Sequence, residues 1–530
     1  MRTKDVWNGT LFLLTFAAVL AAGCATFDAV SRAPAVSESA DGVHKVAVDW
    51  SVEHQVIDNF GASDCWRFQM IGAWSLENRN RLADLLFSTT EGIGLSCWRF
   101  NLGAGKDPGK IGNVSRTAET FEVAEGEYDW SRQASEQWFL GAAKARGVDQ
   151  FVAFVNSPPT RMTRNGLSHC SPDLGTTNLK EGYEGQFARY LADILKHFRD
   201  HPDASRRIDF DWVSPVNEPQ WDWNGQSQEG NRASNADIKT IILALGTELE
   251  QQGLDTKILG VESGHMADMR AQAAFTTLQY REKYGDYLDE FCGNPEVNKY
   301  LGNVIGWHSY QCDLLPRLFL WQRRKLGEKL QEYPGWRFWQ TEYCVMQGPE
   351  GAGGGGRDLG MKTALDVARV IHHDLVLTNV SAWQWWTALS TADYKDGLIY
   401  TDYGKEGDPE TIYPAKLLWV FGNYARFIRP GAKRVELQGA DDLYGLLGSA
   451  YKSAAGDDIA IVFINMAETK ATVSLKLEGL PAGTVVKSFT PHVTSENDDL
   501  RAYPAVDGGA AYVVPGRSAV TLVGTLSTSS

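Results

Sequence analysis

The stretch that decides the fold is Asp209-Phe-Asp-Trp-Val-Ser-Pro-Val-Asn217-Glu218-Pro219-Gln220-Trp221. Charged and apolar side chains alternate through its first half, the period of a strand, and the run then delivers Asn217 and Glu218 and stops at Pro219, with Trp221 and Trp223 beside them. A carboxylate placed just beyond a strand end and surrounded by indoles suits acid–base work on a carbohydrate. The reading of the chain therefore turns on how many such strands there are and what stands at their ends.

Short apolar strands alternate with longer helical stretches eight times: Val56–Ala62, Gly94–Phe100, Gln150–Asn156, Phe210–Val216, Lys257–Val261, Val304–His308, Arg337–Thr341 and Val380–Trp386. Between them, apolar residues recur at i, i+3 and i+4, as in Ala188, Leu191, Ala192 and Leu195. Strand–helix alternation implies a parallel sheet, and eight units in about 330 residues predict a (β/α)8 barrel, with a doubly wound open sheet as the alternative. From Arg434 onward, short alternating segments separated by turns (Leu443–Leu447, Ile459–Ile464, Ala471–Leu477, Thr484–Phe489, Ala511–Val514, Ala519–Val523) predict a β-sandwich. The alternating stretch Val43–Ile57 precedes the barrel and is expected to pair into that sandwich.

The ends of the chain and its composition narrow the class. Arg2 and Lys4 precede the apolar run Leu11–Ala22, which is too short to span a bilayer, and Ala21-Ala22-Gly23-Cys24 resembles a lipoprotein cleavage site, although Leu20 lies four rather than three residues before the cysteine. The expected organisation is a leader over 1–24, a tether over 25–42, a sandwich strand over 43–55, the barrel over 56–430 and the sandwich over 431–530. Export is expected, to the periplasm or outer membrane of a bacterium through a lipid anchor at Cys24 or otherwise as a secreted protein. A net charge of −15 leaves no basic stripe for nucleic acid. Eighteen Trp, 19 Tyr and 22 Phe fill a large core and leave a minority for stacking on sugar rings. Cys65, Cys97, Cys170, Cys292, Cys312 and Cys344 show no metal-ligand spacing, and their pairing stays open.

In a barrel the chemistry stands at the C-terminal strand ends. Here these carry Ser63 and Asp64, Arg99 and Asn101, Asn156, Asn217 and Glu218, Glu262, His308 and Tyr310, Glu342, and Trp385 and Trp386. The set is polar, aromatic and carboxylate-rich, with neither a metal-ligand cluster nor a Ser-His-Asp order. It fits glycoside hydrolysis, in which one carboxyl group protonates the leaving oxygen and a second attacks or positions water. Glu218 is the expected acid/base and Glu342 its partner, held ionised by Arg99 or His308. Glu262 is the rival carboxylate. Asn217, Arg99, Asn156, His308, Tyr310, Trp386, Asp64 and Trp221 are the expected substrate-binding residues. Taken singly, Asn-Glu-Pro is a common way to end a surface strand and His308 an ordinary core histidine; their places in an eight-strand series give them weight. The run Gly351-Ala-Gly-Gly-Gly-Gly356 satisfies GxGxxG, but it does not directly follow a strand, and no acidic residue ends the next one. A mobile loop is expected there rather than a dinucleotide site.

With these residues in place, the chain resembles glycoside hydrolase family 30 from about Val43 to its C-terminus. The resemblance is carried by Gln55-Val-Ile-Asp-Asn-Phe-Gly-Ala-Ser63, Asn156-Ser-Pro-Pro159, Asn217-Glu218-Pro219, Trp307-His308-Ser-Tyr310, Glu342 and Pro515-Gly-Arg-Ser-Ala-Val520. It implies a retaining mechanism with Glu342 as nucleophile, a barrel joined to a sandwich, and no cofactor or metal. Asn165-Gly166 and Tyr183-Glu-Gly-Gln-Phe187 resemble the endo-β-1,6-galactanase branch, whereas Thr160-Arg161 departs from the aromatic residues often found after Ser-Pro-Pro. β-1,6-Galactan is thus the expected substrate, with a β-xylanase, a β-1,6-glucanase or an exo-β-glycosidase of the same family as alternatives. A non-catalytic, surface-anchored glycan-binding protein is the reading from a different class; the presence of both carboxylates and Asn217 argues against it.

Overall fold

The computed structural model describes residues 42–528 apart from 107–113, 173, 226, 274–277, 314–315, 347–352 and 406. The expected leader, Cys24 and the tether up to residue 41 lie outside the described residues. The opening strand β1 (Val43–Val56) is followed by β2 (Asn59–Ser63), β3 (Cys97–Asn101), β4 (Gln150–Phe154), β5 (Trp212–Ser214), β6 (Lys257–Ile258, continued by Gly260–Ser263), β7 (Val304–His308), β8 (Arg337–Glu342) and β9 (Ala382–Trp385). Strands β2 to β9 pair in parallel in that order, and β9 returns to β2 with Trp385 opposite Ala62. The first half of β6 pairs with β5 and the second half with β7, so the ring closes through an interrupted strand. This is a (β/α)8 barrel.

Each expected barrel strand is present, and its ends follow local chemistry. The fourth, expected over Phe210–Val216, pairs only over Trp212–Ser214, because Pro215 has no N–H to extend the ladder. Helices cover the outside of the ring, and every residue of β2, β3 and β7 is buried, as two covered faces require. Cys97, Val152, Trp212, Leu259, Val304, Trp339 and Ala382, one from each of seven strand positions, form a single cluster that fills the barrel. The covering helices are set by ordinary end signals. The helix Asn235–Gln252 begins at a Ser234/Asp237 capping box and ends at Gly253, whose φ of 64° suits glycine. The Asp237 carboxylate also accepts from the Thr176 hydroxyl and the Thr177 N–H, tying the loop after β4 to that helix.

The second body is a mostly antiparallel sheet that includes Lys433–Gln438, Leu446–Lys452, Asp458–Asn465, Ala471–Glu478, Thr484–Thr494 and Ser518–Thr528. β1 lies between Lys433–Gln438, which it meets antiparallel, and Ala471–Glu478, which it meets in parallel with Val43 opposite Thr472. The strand at Lys433–Gln438 was not anticipated from the sequence; only Val435 and Leu437 mark its alternation, and β1, distant in sequence, supplies its other partner. Residues from all of these strands meet in one cluster that includes Val48, Val435, Ile461, Val473, Phe489 and Leu522, so the sheet wraps around its own core as a sandwich. The alternate side chains Leu447, Tyr451, Val462, Ile464 and Ala519 belong to the barrel's core instead. Period-2 alternation therefore buries both faces of the central strands, one inside the sandwich and one against the barrel.

A polar pin crosses this junction. Asn423, on the helix Lys416–Ala425, is fully buried; its side chain donates to the His492 carbonyl and the Thr521 hydroxyl, each at 3.0 Å, and accepts from the Thr494 hydroxyl at 2.7 Å. Asn423→Ala would leave those partners unmatched in a dry interface. The variant is expected to lose about 1–3 kcal/mol, read as a lower urea midpoint, with the catalytic end of the barrel untouched.

Candidate active site

Barrel geometry brings the predicted strand-end residues into one basin. Arg99 from β3 is its centre. The guanidinium is fully buried and lies over the Phe154 ring, 3.5 Å from the centroid. Nη1 donates to Glu342 Oε2 at 2.8 Å, while Nη2 donates to Asn217 Oδ1 and Glu262 Oε1, each at 3.0 Å. Asn217 in turn donates to Asn156 Oδ1 at 3.1 Å, and Asn156 donates to Asn101 Oδ1 at 3.0 Å. Strands β3, β4, β5, β6 and β8 are thus tied together at their C-terminal ends by one chain of side-chain bonds.

Glu218 and Glu342 face each other across this basin. His308 Nδ1 lies 2.9 Å from Glu218 Oε1 and 3.7 Å from Glu342 Oε1. One oxygen of each carboxylate and the His308 nitrogen fall within 4.8 Å of one another. Among the described residues this trio is also the one group close enough to share a metal ion, but its atoms are engaged with each other, with Arg99 and with Tyr310. The backbone here is unusual. Glu218, Val261 and Glu262 have φ of 48°, 75° and 37°, and the Glu218 N–H donates to the Glu262 carbonyl at 2.9 Å. Left-handed conformations at non-glycine residues cost on the order of 1–3 kcal/mol each and persist where surrounding contacts over-determine them.

The two carboxyl groups have different surroundings. Burial raises the pKa of Glu218 to about 8, against a smaller downward pull from the Trp221 indole N–H and the Arg99 charge. Burial also raises Glu342, but His308, Arg99 and the Tyr310 hydroxyl, 2.8 Å from Oε1, act in the opposite direction. Desolvation pushes His308 down, so its imidazole is neutral. Glu218 is the group that holds a proton at neutral pH, and Glu342 is the one in direct contact with a cation. Glu262, fully buried, is occupied by Arg99 and by the Ser214 hydroxyl.

The family model for O-glycosyl hydrolase family 30 matches residues 43–400, the barrel together with β1. The chain belongs to O-glycosyl hydrolase family 30. It is a glycoside hydrolase. An endo-β-1,6-galactanase of Hypocrea rufa is 26% identical over 405 residues, which cover 70% of this chain and 73% of the relative. Among solved structures, a conserved exported protein from Bacteroides fragilis is 29% identical with a TM-score of 0.80, covering 90% of this chain and 99% of that one. The catalytic domain of a family 30 xylanase C from Talaromyces cellulolyticus shares the fold, with a TM-score of 0.66 at 22% identity over 91% of this chain and the whole of that one.

In this family 30 chain several strand-end residues serve the carboxylates directly. Tyr310 donates to Glu342, His308 contacts Glu218, and Trp221 lends its N–H to Glu218. Asn217, expected to reach a sugar hydroxyl, has its Oδ1 taken by Arg99 and donates to Asn156. Asp64 is buried below the rim; Oδ1 accepts from the Asn101 N–H, and Oδ2 has no partner. Trp386 is half-buried and meets the edge of Trp66 at 6.3 Å, and the two rings close one wall of the basin. Trp66 was missed because it lies beyond the strand end with no pattern to mark it; Trp223, which the sequence places beside Glu218, donates its indole N–H to the Glu218 carbonyl at 2.9 Å. In the described part of the glycine run, Gly353, Gly355 and Gly356 are exposed and Gly354 is buried. Gly354 bonds to Met346 and Lys395 through backbone, and a Cβ there would meet the Val345 carbonyl at 2.1 Å, so close approach explains the glycine. All six described cysteines are buried and unpaired.

The raised pKa of Glu218 carries a stability consequence. A carboxyl group that prefers its proton in the fold adds stability fully below its ordinary value of 4.5, and that stability is lost as pH rises through about 8. Glu218→Gln keeps the neutral shape. Its melting temperature is expected to match the parent's near pH 4 and to exceed it by several degrees at pH 8.

Proposed function

We propose that the protein is a retaining β-glycanase that works by double displacement. Glu342 attacks the anomeric carbon while Glu218 gives its proton to the departing glycosidic oxygen. The glycosyl ester on Glu342 is then cleaved by water whose proton returns to Glu218, and the carboxylate of Glu342 leaves free. Atoms and charges balance over the cycle without a further reactant. The observation that carries this reading is the pair itself. The carboxylate oxygens approach within 4.8 Å, which suits the separation of roughly 5–5.5 Å used for direct attack and is too close for the 6.5–9.5 Å, roughly, that an intervening water requires. Contact with Arg99 and Tyr310 favours the charged form of Glu342 as nucleophile, and the proton held by Glu218 favours it as acid.

The substrate we infer is β-1,6-galactan. The similarity to the Hypocrea rufa endo-β-1,6-galactanase over most of both chains supports it. Export is part of the same proposal, supported by the charged and apolar start of the chain and by the exported Bacteroides fragilis protein of similar structure. Glu342→Gln is expected to lower turnover more than about a thousandfold, beyond the loss from deleting one transition-state hydrogen-bond donor, while the melting curve stays cooperative. Fresh product followed by NMR should show the β-anomer first; α-anomer at early times would rule out retention. In a panel of β-1,6-galactan, β-1,6-glucan and xylan, the first should release oligosaccharides fastest, and preference for either of the others reassigns the substrate.

A further inference from the structure

Opposite Glu218, at the C-terminal end of β6, stands Gly264. Its φ lies outside the left-handed region, so backbone conformation does not call for glycine there. Space does. A Cβ on residue 264 would lie 2.2 Å from Trp221 Nε1, 2.9 Å from Glu218 Oε1 and 3.0 Å from the Gln220 side-chain amide. No carbon fits at 2.2 Å from a nitrogen without displacing it. The missing side chain is therefore what lets the indole edge and the carboxylate occupy one small volume, and Trp221 is the element that any bulk at 264 pushes away first.

An indole nitrogen donates and never accepts. Placed against a carboxyl group that cycles between acid and base, it stabilises the charged form more than the neutral one. The other groups facing Glu218 are His308 from β7, Glu342 from β8, Arg99 from β3 and Glu262 from β6. Arg99 is committed to Glu342, Glu262 and Asn217, and the neutral His308 reaches both carboxylates. The indole is the donor that belongs to Glu218 and not to Glu342.

We propose that Trp221 is a positioning residue for the acid/base: admitted by the absent side chain of Gly264, its N–H holds the Glu218 carboxylate in place during the half-reaction in which Glu218 must accept a proton from water. This rests on the acid/base reading of Glu218. Burial alone would make Glu218 reluctant to give up its proton; the Trp221 hydrogen bond opposes that by stabilising the carboxylate, which then stands oriented to take a proton from water.

The test compares pH profiles of kcat/KM, measured as reducing-end release from β-1,6-galactan, for the parent, Trp221→Phe and Gly264→Ala. Phe keeps the ring and removes the donor; Ala at 264 leaves Trp221 intact and displaces it. Removing a donor to the charged form raises the pKa of Glu218, so the alkaline limb should move to higher pH by about one unit in both variants. A folded Trp221→Phe enzyme whose alkaline limb superimposes on the parent's overturns the proposal; if that variant does not fold, Gly264→Ala decides by the same criterion. Glu218→Gln separates the two levels. Turnover that survives in it, with the alkaline limb intact, removes Glu218 as acid/base, whereas its loss together with an unmoved limb in the Trp221 and Gly264 variants removes only the role of Trp221. A parent inactive on β-1,6-galactan fails the substrate reading instead, and the profiles are then taken on whichever polymer of the panel it cleaves.

Discussion

One guanidinium organises the catalytic end of this barrel. Arg99 is sealed from solvent, backed by an aromatic face, and bonded to Glu342, Glu262 and Asn217 at once. Three carboxylates surround it, counting Glu218, and among the described residues no second lysine or arginine pairs with them. A closed volume with one positive and three negative groups retains at least one proton, and the proton settles on the carboxylate with the least cationic contact, Glu218. On the proposed mechanism Glu218 thus keeps its proton through the scarcity of positive charge around it as well as through its burial. Removing either partner of such a buried pair is far more costly than exchanging the whole group, which makes Arg99 a residue of fold and chemistry together.

The remaining architecture holds that charge arrangement still. Side chains from seven strand positions fill the barrel, the ring closes through a broken β6, and left-handed residues beyond β5 and in the second half of β6 carry Glu218 and Glu262 to neighbouring positions. On one flank the sandwich is fused to the barrel by strands buried on both faces and by the Asn423 pin. Rigidity of this kind matters to a mechanism whose two carboxyl groups must keep a spacing within about half an ångström.

The barrel was legible because its signal is repetitive. Eight alternations of apolar strand and amphipathic helix average out local errors, and strand number then places Glu218 on the fourth and Glu342 on the seventh. Glu262, on the fifth, is the rival that the strand count places behind them, whereas its bonds to the Ser214 hydroxyl and the Arg99 guanidinium are delivered by the fold. Trp66 and Gly264 were invisible for a related reason. One acts as a wall and the other as a space, and neither property is carried by a motif. The likeness of Asn217 to a sugar-binding amide was plain, whereas its commitment to Arg99 and Asn156 is a fact of three dimensions. The fourth strand stopped short of the expected Val216 because Pro215 cuts the ladder after Ser214.

The placement of β1 bears on how the chain reaches its native state. Val43 pairs with Thr472, so the sandwich joins residues more than 400 positions apart. The first described strand emerges early in synthesis with two ladder edges open and finds its partners only when synthesis has entered roughly the last fifth of the chain. Until then the sandwich cannot form, and β1 is an unpaired strand at risk of pairing with a neighbour. Loss of a few residues from β1 or from Ser518–Thr528 would damage the same sheet. The first described strand thus waits for partners that are among the later parts of the chain to be made.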